Sequence, residues 1–559
     1  MSALRRSLQY WHWLPIAILV LISLRVYMHS GFPYTHDGEN HLARFANYKI
    51  AIRQGQFPPR FAPNLMNGYG YPVLNFNYPL ANILSLPLSV LGFSYQTTFK
   101  IIVFCVLSLG AISLWQWLKV LDFSRATRFM ALLIWLGSPF LVTAIVYRGS
   151  LGEIMAYGLL PHLFLLIDKR IGGHRYLLLG SIAWAAFFLS HNVTVFWTTP
   201  VVLAYFFVRK LSAKSQTISY KLFFFSLASS TGLVAWFWLP ALAESSSTVL
   251  SQASNTKDFI FHFPTLKQLF IAENIFGFSY PGSVDSLPFQ LGMFPWLTLF
   301  IVPVLWVRRR KLSLFGSNNA LLLFFWFCSL FFICLQLAAS QYFWLIMPGF
   351  RFIQFPWRLA LILPLSSLVP LGYLFESTGK WTKLIFSVVA LFSWVYFTSL
   401  TPIEYLHQPN LYYDQFPMST STQNENLPRS FTYENIGDNS RKPTITDEYT
   451  TYQIDSWNGS FRKYAVTVPT NEPVTVIEPT TNFPGWQTKV NGLATTYIDN
   501  PDVGGRIAFT LQGQGVHSIE TKFTQKTVAR RIGNVVSLFC AVWLFFFALV
   551  VVKWKWHEA

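Results

Sequence analysis

Apolar runs of membrane-crossing length recur along this chain, and they leave it few folds to choose from. Of its 559 residues 53% are hydrophobic and 12% charged, too little polar surface for a water-soluble protein of this size. The chain reads as a polytopic membrane protein. Taking each adequate run as a span gives about twelve, near 13–28, 98–118, 129–147, 153–168, 176–190, 193–208, 222–242, 290–307, 319–339, 357–375, 384–400 and 532–552. Alternate connections carry Lys119/Arg125/Arg128, Lys169/Arg170/Arg175, Arg209/Lys210/Lys214/Lys221, Arg308/Arg309/Arg310/Lys311, Lys380/Lys383 and Lys553/Lys555. Basic connections face the cytoplasm, so both termini are expected there. The net charge of +18 then reflects topology and not nucleic-acid binding. Lys526, Arg530 and Arg531 dissent, falling just outside the last span; a long translocated domain escapes the charge rule.

The expected fold is mainly α, with an extracytoplasmic β-sandwich. Residues 1–400 form the multi-span part with its outer loops, 401–529 a β-rich outer domain, and 530–559 the final span with a short cytoplasmic tail. From 401 the composition turns to Ser, Thr, Asn and Pro, and alternating runs such as Lys463–Val468 and Arg506–Leu511 are separated by Pro484-Gly485 and Asn491-Gly492 turns. Cys105, Cys328, Cys334 and Cys540 all lie within apolar runs, so no outer disulfide is expected. Arg5 and Arg6 precede a run without a small-x-small cleavage site, which reads as a retained signal anchor.

Against this apolar background, His36-Asp37-Gly38-Glu39-Asn40-His41-Leu42-Ala43-Arg44 gathers two carboxylates, two imidazoles and an Arg within nine residues. Thr35 or Asp37 as a helix cap explains one polar residue of this set but not the cluster. Leu42, Phe45, Ala46 and Ile50 recur at helical spacing while Arg44, Asn47 and Lys49 face elsewhere, the pattern of a helix lying in the membrane interface as a lid. The Gly68–Leu80 stretch reads as an aromatic interfacial loop, and the Pro87-containing run 80–91 as too short to span. Four further junctions fall on the same side of the membrane: Arg148 to Glu153, Ser190-His191-Asn192, Trp238 to Glu244, and Arg351 to Arg358. Ionisable groups at span ends are costly to bury and default to functional candidates, although Arg can snorkel. There is no Walker loop, no nucleotide-binding glycine fingerprint, no His-Glu-x-x-His run and no Gly-x-Ser-x-Gly elbow.

These motifs, in this order and together with Gly68-Tyr69-Gly70-Tyr71-Pro72 and Phe483-Pro484-Gly485-Trp486, resemble bacterial membrane proteins labelled 6-pyruvoyl-tetrahydropterin-synthase-related, which look like members of the GT-C glycosyltransferase superfamily. The resemblance implies a glycosyltransferase that takes a hexosyl or pentosyl group from a polyprenyl-phosphate-linked donor and passes it, with inversion, to a glycan or lipid acceptor of the cell envelope on the outer face. It implies Asp37 as general base, with Glu153 and Glu244 as the alternative carboxylates. Arg148, Arg351 and Arg358 are candidates to hold the lipid phosphate, with His36, Glu39, His41, His191 and Asn192 completing the substrate site. Asp37 and Glu39 allow a divalent cation but do not require one, since two oxygen ligands are too few to define a site. A transporter or flippase of lipid-linked glycans is the competing class; it should show polar groups near mid-membrane and internal repeats, whereas the polar groups here cluster at one face.

A reporter fused near Ser460 tests the orientation. Activity characteristic of the extracytoplasmic side is expected, and cytoplasmic behaviour would overturn both the topology and the placement of the site.

Overall fold

The computed structural model describes residues 13–169, 173–212, 218–251, 258–280, 285–308, 317–421, 424–432 and 441–557. The basic residues Arg5, Arg6, Arg170, Lys214, Arg309, Arg310 and Lys311 lie outside these residues. The chain is mainly helical with an antiparallel β region towards its C-terminus.

Among the described residues six helices are long and apolar enough to cross a membrane: Tyr95–Val120, Arg125–Arg148, Leu151–Asp168, Pro356–Ser377, Lys380–Thr398 and Val528–Leu549. Two further pairs are bent, Tyr220–Leu233 with Ala235–Ser247 by 61° and Asn319–Cys334 with Ala338–Ile346 by 94°, so the count is six, or eight if each pair is one span. Among the described residues six to eight candidates thus stand where about twelve spans were expected. The runs near 13–28, 176–190 and 290–307 form helices of only 10–17 residues. Helix Asn192–Leu211 falls outside the set because Asn192, Thr194, Thr198, Thr199 and Arg209 dilute its apolar residues. Hydropathy counts apolar residues whether they face lipid or protein, and here many face protein: 94% of Leu151–Asp168 is buried, against 17% of Val528–Leu549.

Where a helix breaks, side chains satisfy the freed backbone, as a low-dielectric setting demands. At the 61° bend Ser537 Oγ donates to the Gly232 carbonyl at 3.0 Å and accepts from the Trp236 amide at 2.8 Å. Gly533 permits that closeness, since a Cβ there would lie 2.6 Å from the Ala235 carbonyl oxygen. At the 94° bend Trp344 Nε1 donates to the Leu335 carbonyl at 2.9 Å.

Strands β1 (Phe32–Pro33) and β2 (Tyr405–Leu406) pair antiparallel and tie the first loop to the end of the helical part. The other strands are β3 (Thr444–Ile445), β4 (Thr451–Trp457), β5 (Phe461–Val468), β6 (Val474–Thr481), β7 (Trp486–Val490), β8 (Leu493–Ala494), β9 (Arg506–Leu511) and β10 (Gly515–Phe523). They form a five-stranded sheet ordered β4-β5-β10-β7-β8 and a three-stranded sheet ordered β3-β6-β9. Strict alternation of buried and outward residues along β10 turns one face inward. Val466, Ile519 and Trp486 of the larger sheet meet Val476, Ile507 and Phe509 of the smaller in one core.

That core is not closed by its own residues. Phe61 and Phe76 of the first loop belong to it, with Phe61 edge-on to Trp486 at 5.3 Å. Gly70, at φ 83°, lets its loop lie on Phe61, and Thr481 of β6 donates its amide to the Tyr69 carbonyl at 3.0 Å. Arg60, Arg530 and Glu244 staple these parts together. Arg530 meets Glu244 at 2.8 Å, Asn75 donates to Glu244 at 3.0 Å, and Arg60 reaches Asn75, the Trp236 carbonyl, Gln525 and Asn534. A buried pair contributes little over an apolar replacement, but removing one partner strands the other in low dielectric. Arg530→Ala is expected to destabilise the fold by about 3–5 kcal/mol, read as a lowered melting temperature in detergent with earlier proteolysis of the first loop; an unchanged melting curve would remove the staple's role.

Candidate functional site

The site begins with how the first loop is hung. The amides of His36 and Asp37 donate to the carbonyls of Tyr147 and Arg148 at 3.1 and 2.8 Å. Residues Ala144–Arg148 form a π-helical turn ended by Gly149 at φ 58°, the kind of local irregularity that concentrates at functional positions. A Cβ on Gly149 would collide with Thr35 Oγ1 and crowd the Gly38 amide, so this close docking requires glycine.

Thr35, not Asp37, then caps helix Gly38–Arg53: its Oγ1 accepts from the Gly38 amide at 3.1 Å. Asp37 occupies the N-cap position without using its side chain. Among the described residues nothing hydrogen-bonds its carboxylate, which opens onto a cavity of about 380 Å³. Burial raises the Asp37 pKa above its ordinary 3.8, against the pull of Arg148, Arg44 and Arg358.

Arg148 and Arg358 converge on Glu153 in the first turn of helix Leu151–Asp168. Arg148 forms a two-pronged pair with it, Nη1 to Oε2 and Nη2 to Oε1, the latter at 3.0 Å, and Arg358 Nε stands 3.1 Å from Oε1. The Trp357 ring lies 4.4 Å beneath the Arg148 guanidinium. Arg358 Nη1 donates to the Ile353 carbonyl at 2.9 Å and to Gln354 Oε1 at 3.0 Å. Gln354 holds φ 67°, a sparse region for a residue with a Cβ. Two guanidinium groups share the one Glu153 carboxylate, and Arg358 faces the cavity that Asp37 also lines.

His191 Nδ1 accepts from the Thr194 amide at 3.2 Å, which places the proton of the neutral ring on Nε2. Its ring meets Tyr78 edge-on at 4.8 Å, and Asn192 donates to the Phe76 carbonyl at 2.8 Å. Burial holds His41 well below the usual imidazole range, so it is neutral at physiological pH.

Of the residues singled out in the sequence, Asp37, His41, His191, Asn192 and Arg358 line this one cavity, with Arg148 and Glu153 joined to it through the ion pairs. Four others lie away from its lining. His36 is stacked on Phe278 at 4.3 Å and held at a pKa of about 4 by burial and by Arg148. Glu39 accepts from Tyr413 at 3.5 Å, Arg351 donates to the Leu345 carbonyl at 3.0 Å, and Glu244 is held in the Arg530 staple. Among the described residues no three His, Cys, Asp or Glu side chains converge as a metal-binding group.

Helix Gly38–Arg53 is not the interfacial lid its periodicity suggested, because its polar face is covered too. Arg44 donates to Thr420 Oγ1 at 3.0 Å and to the Thr420 carbonyl, and Asn47 Oδ1 accepts from the Asn64 amide at 2.9 Å. Arg44 thereby becomes a second cation of the cavity. Thr420, Glu425, Asp258 and His262 complete the lining, and sequence reasoning missed them. His262 and Asp258 lie between expected spans in a stretch with no motif of its own, and nothing local marks Thr420 or Glu425.

No family model matches the chain. An uncharacterized protein of Lactococcus lactis subsp. cremoris (strain MG1363) is 24% identical over 249 residues, which are 43% of this chain and 41% of that protein; the chain thus spans about two fifths of the relative's length. Among solved structures it is similar to the mycobacterial arabinofuranosyltransferase AftD, with a TM-score of 0.42 and 16% identity over 70% of this chain and 26% of that one. It is also similar to the Archaeoglobus fulgidus oligosaccharyltransferase, with a TM-score of 0.34 and 15% identity over 72% and 52%. Likenesses of this size carry no conclusion about this chain.

The raised pKa of Asp37 has a consequence for stability. A carboxyl that holds its proton more tightly folded than unfolded contributes fully only below its ordinary pKa, and loses that contribution as pH rises through the raised value. Above its ordinary pKa the desolvated Asp37 therefore opposes folding. Asp37→Asn is expected to melt at the same or a higher temperature than the unaltered protein at neutral pH, with the gap closing as pH falls towards about 4. A lower melting temperature at neutral pH would mean that the surrounding arginines outweigh burial.

Proposed function

We propose that this chain is a membrane glycosyltransferase that moves a sugar from a polyprenyl-phosphate-linked donor to an acceptor hydroxyl outside the cytoplasm, with inversion. The observation that carries this reading is the uncommitted Asp37 carboxylate sharing one cavity with Arg44 and Arg358. A base that must take a proton works best without a standing hydrogen bond and with its pKa moved towards the working pH. Asp37 accepts the acceptor's hydroxyl proton as that oxygen bonds to the anomeric carbon. The bond from that carbon to the lipid phosphate breaks, and its electron pair leaves on the phosphate oxygen. Arg358 and Arg44 meet the charge that develops there. A single attack from the face opposite the phosphate inverts the anomeric centre.

Within this reading Glu153 is a positioning residue: it sets the two guanidinium planes and is not free to act as a base. Glu244 holds the fold, and Arg351 stands outside the phosphate contacts. His191 offers an Nε2–H to the substrate, and Asn192 shapes the floor beside Phe76.

The deciding experiment measures sugar transfer from a polyprenyl-phosphate donor by purified protein, with donor affinity followed separately. Asp37→Asn is expected to lose on the order of a hundredfold in turnover while binding donor normally. In the same assay Arg358→Lys should weaken donor binding, because a point charge does not reproduce the planar fork. Transfer at the unaltered rate by Asp37→Asn would sink the assignment of the base. Lipid-linked sugar crossing vesicles without any transfer would make the chain a transporter.

A further inference from the structure

At the far end of the same spans lies a second cavity, of about 660 Å³, between the helix Leu14–Ser23 and the connection from Tyr95–Val120 to Arg125–Arg148. Ile16, Leu19 and Phe129 give it apolar walls, and Lys119, Arg125 and Arg128 give it three cations. Arg148 ends the span that Arg125 begins, so at 1.5 Å per residue the two cavities lie about 35 Å apart along the helix axis. That separation is close to a bilayer's hydrocarbon thickness. The second cavity therefore sits at headgroup level on the membrane face opposite the candidate site.

Its cations are not ion-paired, although Asp122 lies in the same connection. Among the described residues no carboxylate forms an ion pair with any of the three; the ion pairs there are Arg148 and Arg358 with Glu153, Arg209 with Asp168, Arg462 with Glu478, and Arg530 with Glu244. Glu376, beside the connection, is committed to the Ser124 amide at 2.8 Å and to the Thr127 hydroxyl. Arg128 is only 7% exposed, with its guanidinium 4.4 Å over the Trp115 ring and its Nε donating to the Ser124 carbonyl at 3.4 Å. The stem of Arg128 is packed while its terminal nitrogens, open to the cavity, have donors to offer an anion.

The apolar side of the cavity says which kind. Ile16 and Leu19 share their helix with Leu14 and Ile18, which are exposed and apolar, so the wall continues into the lipid-facing surface. We propose that this cavity holds one anionic glycerophospholipid, its phosphate among Lys119, Arg125 and Arg128 and its chains along Ile16, Leu19 and Phe129. This is a second lipid site, independent of the donor cavity and of the reaction assigned to it.

The test is native mass spectrometry of the full chain released from nanodiscs that contain phosphatidylglycerol and phosphatidylcholine in equal amounts. The unaltered protein is expected to retain phosphatidylglycerol over phosphatidylcholine by about tenfold, two or three surface cations each favouring an anionic lipid by a few-fold. Lys119→Gln with Arg125→Gln, both exposed positions, should bring the two lipids close to parity with no change in melting temperature. Parity in the unaltered protein, or an undiminished preference in the double variant, would overturn the proposal. So would release of the retained lipid by millimolar inorganic phosphate alone, since the site would then be one for free phosphate. Should the double variant fail to fold, Arg128→Lys, which keeps the charge but loses the fork, must lower the preference for the proposal to stand.

Discussion

Glu153 stands in the first turn of its helix with both oxygens taken by guanidinium groups, one from the turn just before it and one from the far end of the helical part. The π-helical turn that carries Arg148 also accepts the amides of His36 and Asp37, so the first loop is placed by the same contact that places the cations. Replace the carboxylate and two buried guanidinium groups would face each other without an anion, a change that costs about 3–5 kcal/mol in comparable buried pairs. The placing of the Asp37 carboxylate and of the cations beside it rests on this one acidic side chain.

Other buried acids pair with Arg here, and comparing them shows what makes a site. Asp168, at the opposite end of Glu153's own helix, binds Arg209 Nε at 2.6 Å and accepts from Trp117 Nε1 at 3.0 Å. Glu244 is closed in by Arg530, Asn75 and Thr527. Glu478 meets Arg462 at 2.6 Å, accepts from Tyr464 and Thr521, and Arg462 is flanked by the Trp457 and Trp486 rings. In those clusters the carboxylate is enclosed by donors of the protein itself. Around Glu153, by contrast, a guanidinium, that of Arg358, presents itself to an open cavity beside the unbonded Asp37 carboxylate.

That carboxylate is free because a neighbour does its local work. A helix N-terminus attracts the nearest short polar side chain, and an aspartate there would ordinarily be consumed as a cap. Thr35 takes the Gly38 amide instead, in a turn so tight that Gly38 and Gly149 have no room for a Cβ. The irregular backbone around the cavity, from the π-turn to Gln354 at positive φ, is maintained by the packing of the segments that meet there.

What the sequence determined by itself was the solvent of the fold and the set of charges that had to be explained. Apolar runs can be stable only in lipid or in a core, and strict alternation between turn residues can be buried only as a two-faced sheet. Both are local properties, so the helical part and the β region were legible in advance, as was the His36–Arg44 cluster. Tertiary structure decided the rest. Hydropathy does not distinguish a helix facing lipid from one enclosed by other helices, which is why twelve apolar runs became six to eight candidate spans. Nor does residue type distinguish Glu153 from Glu244 or Arg358 from Arg351. Each is an ionisable group at a helix end, and only its partners, near in sequence for Arg351 and more than two hundred residues away for Glu244 and Arg358, settle whether its charge is spent on the fold or turned towards a cavity.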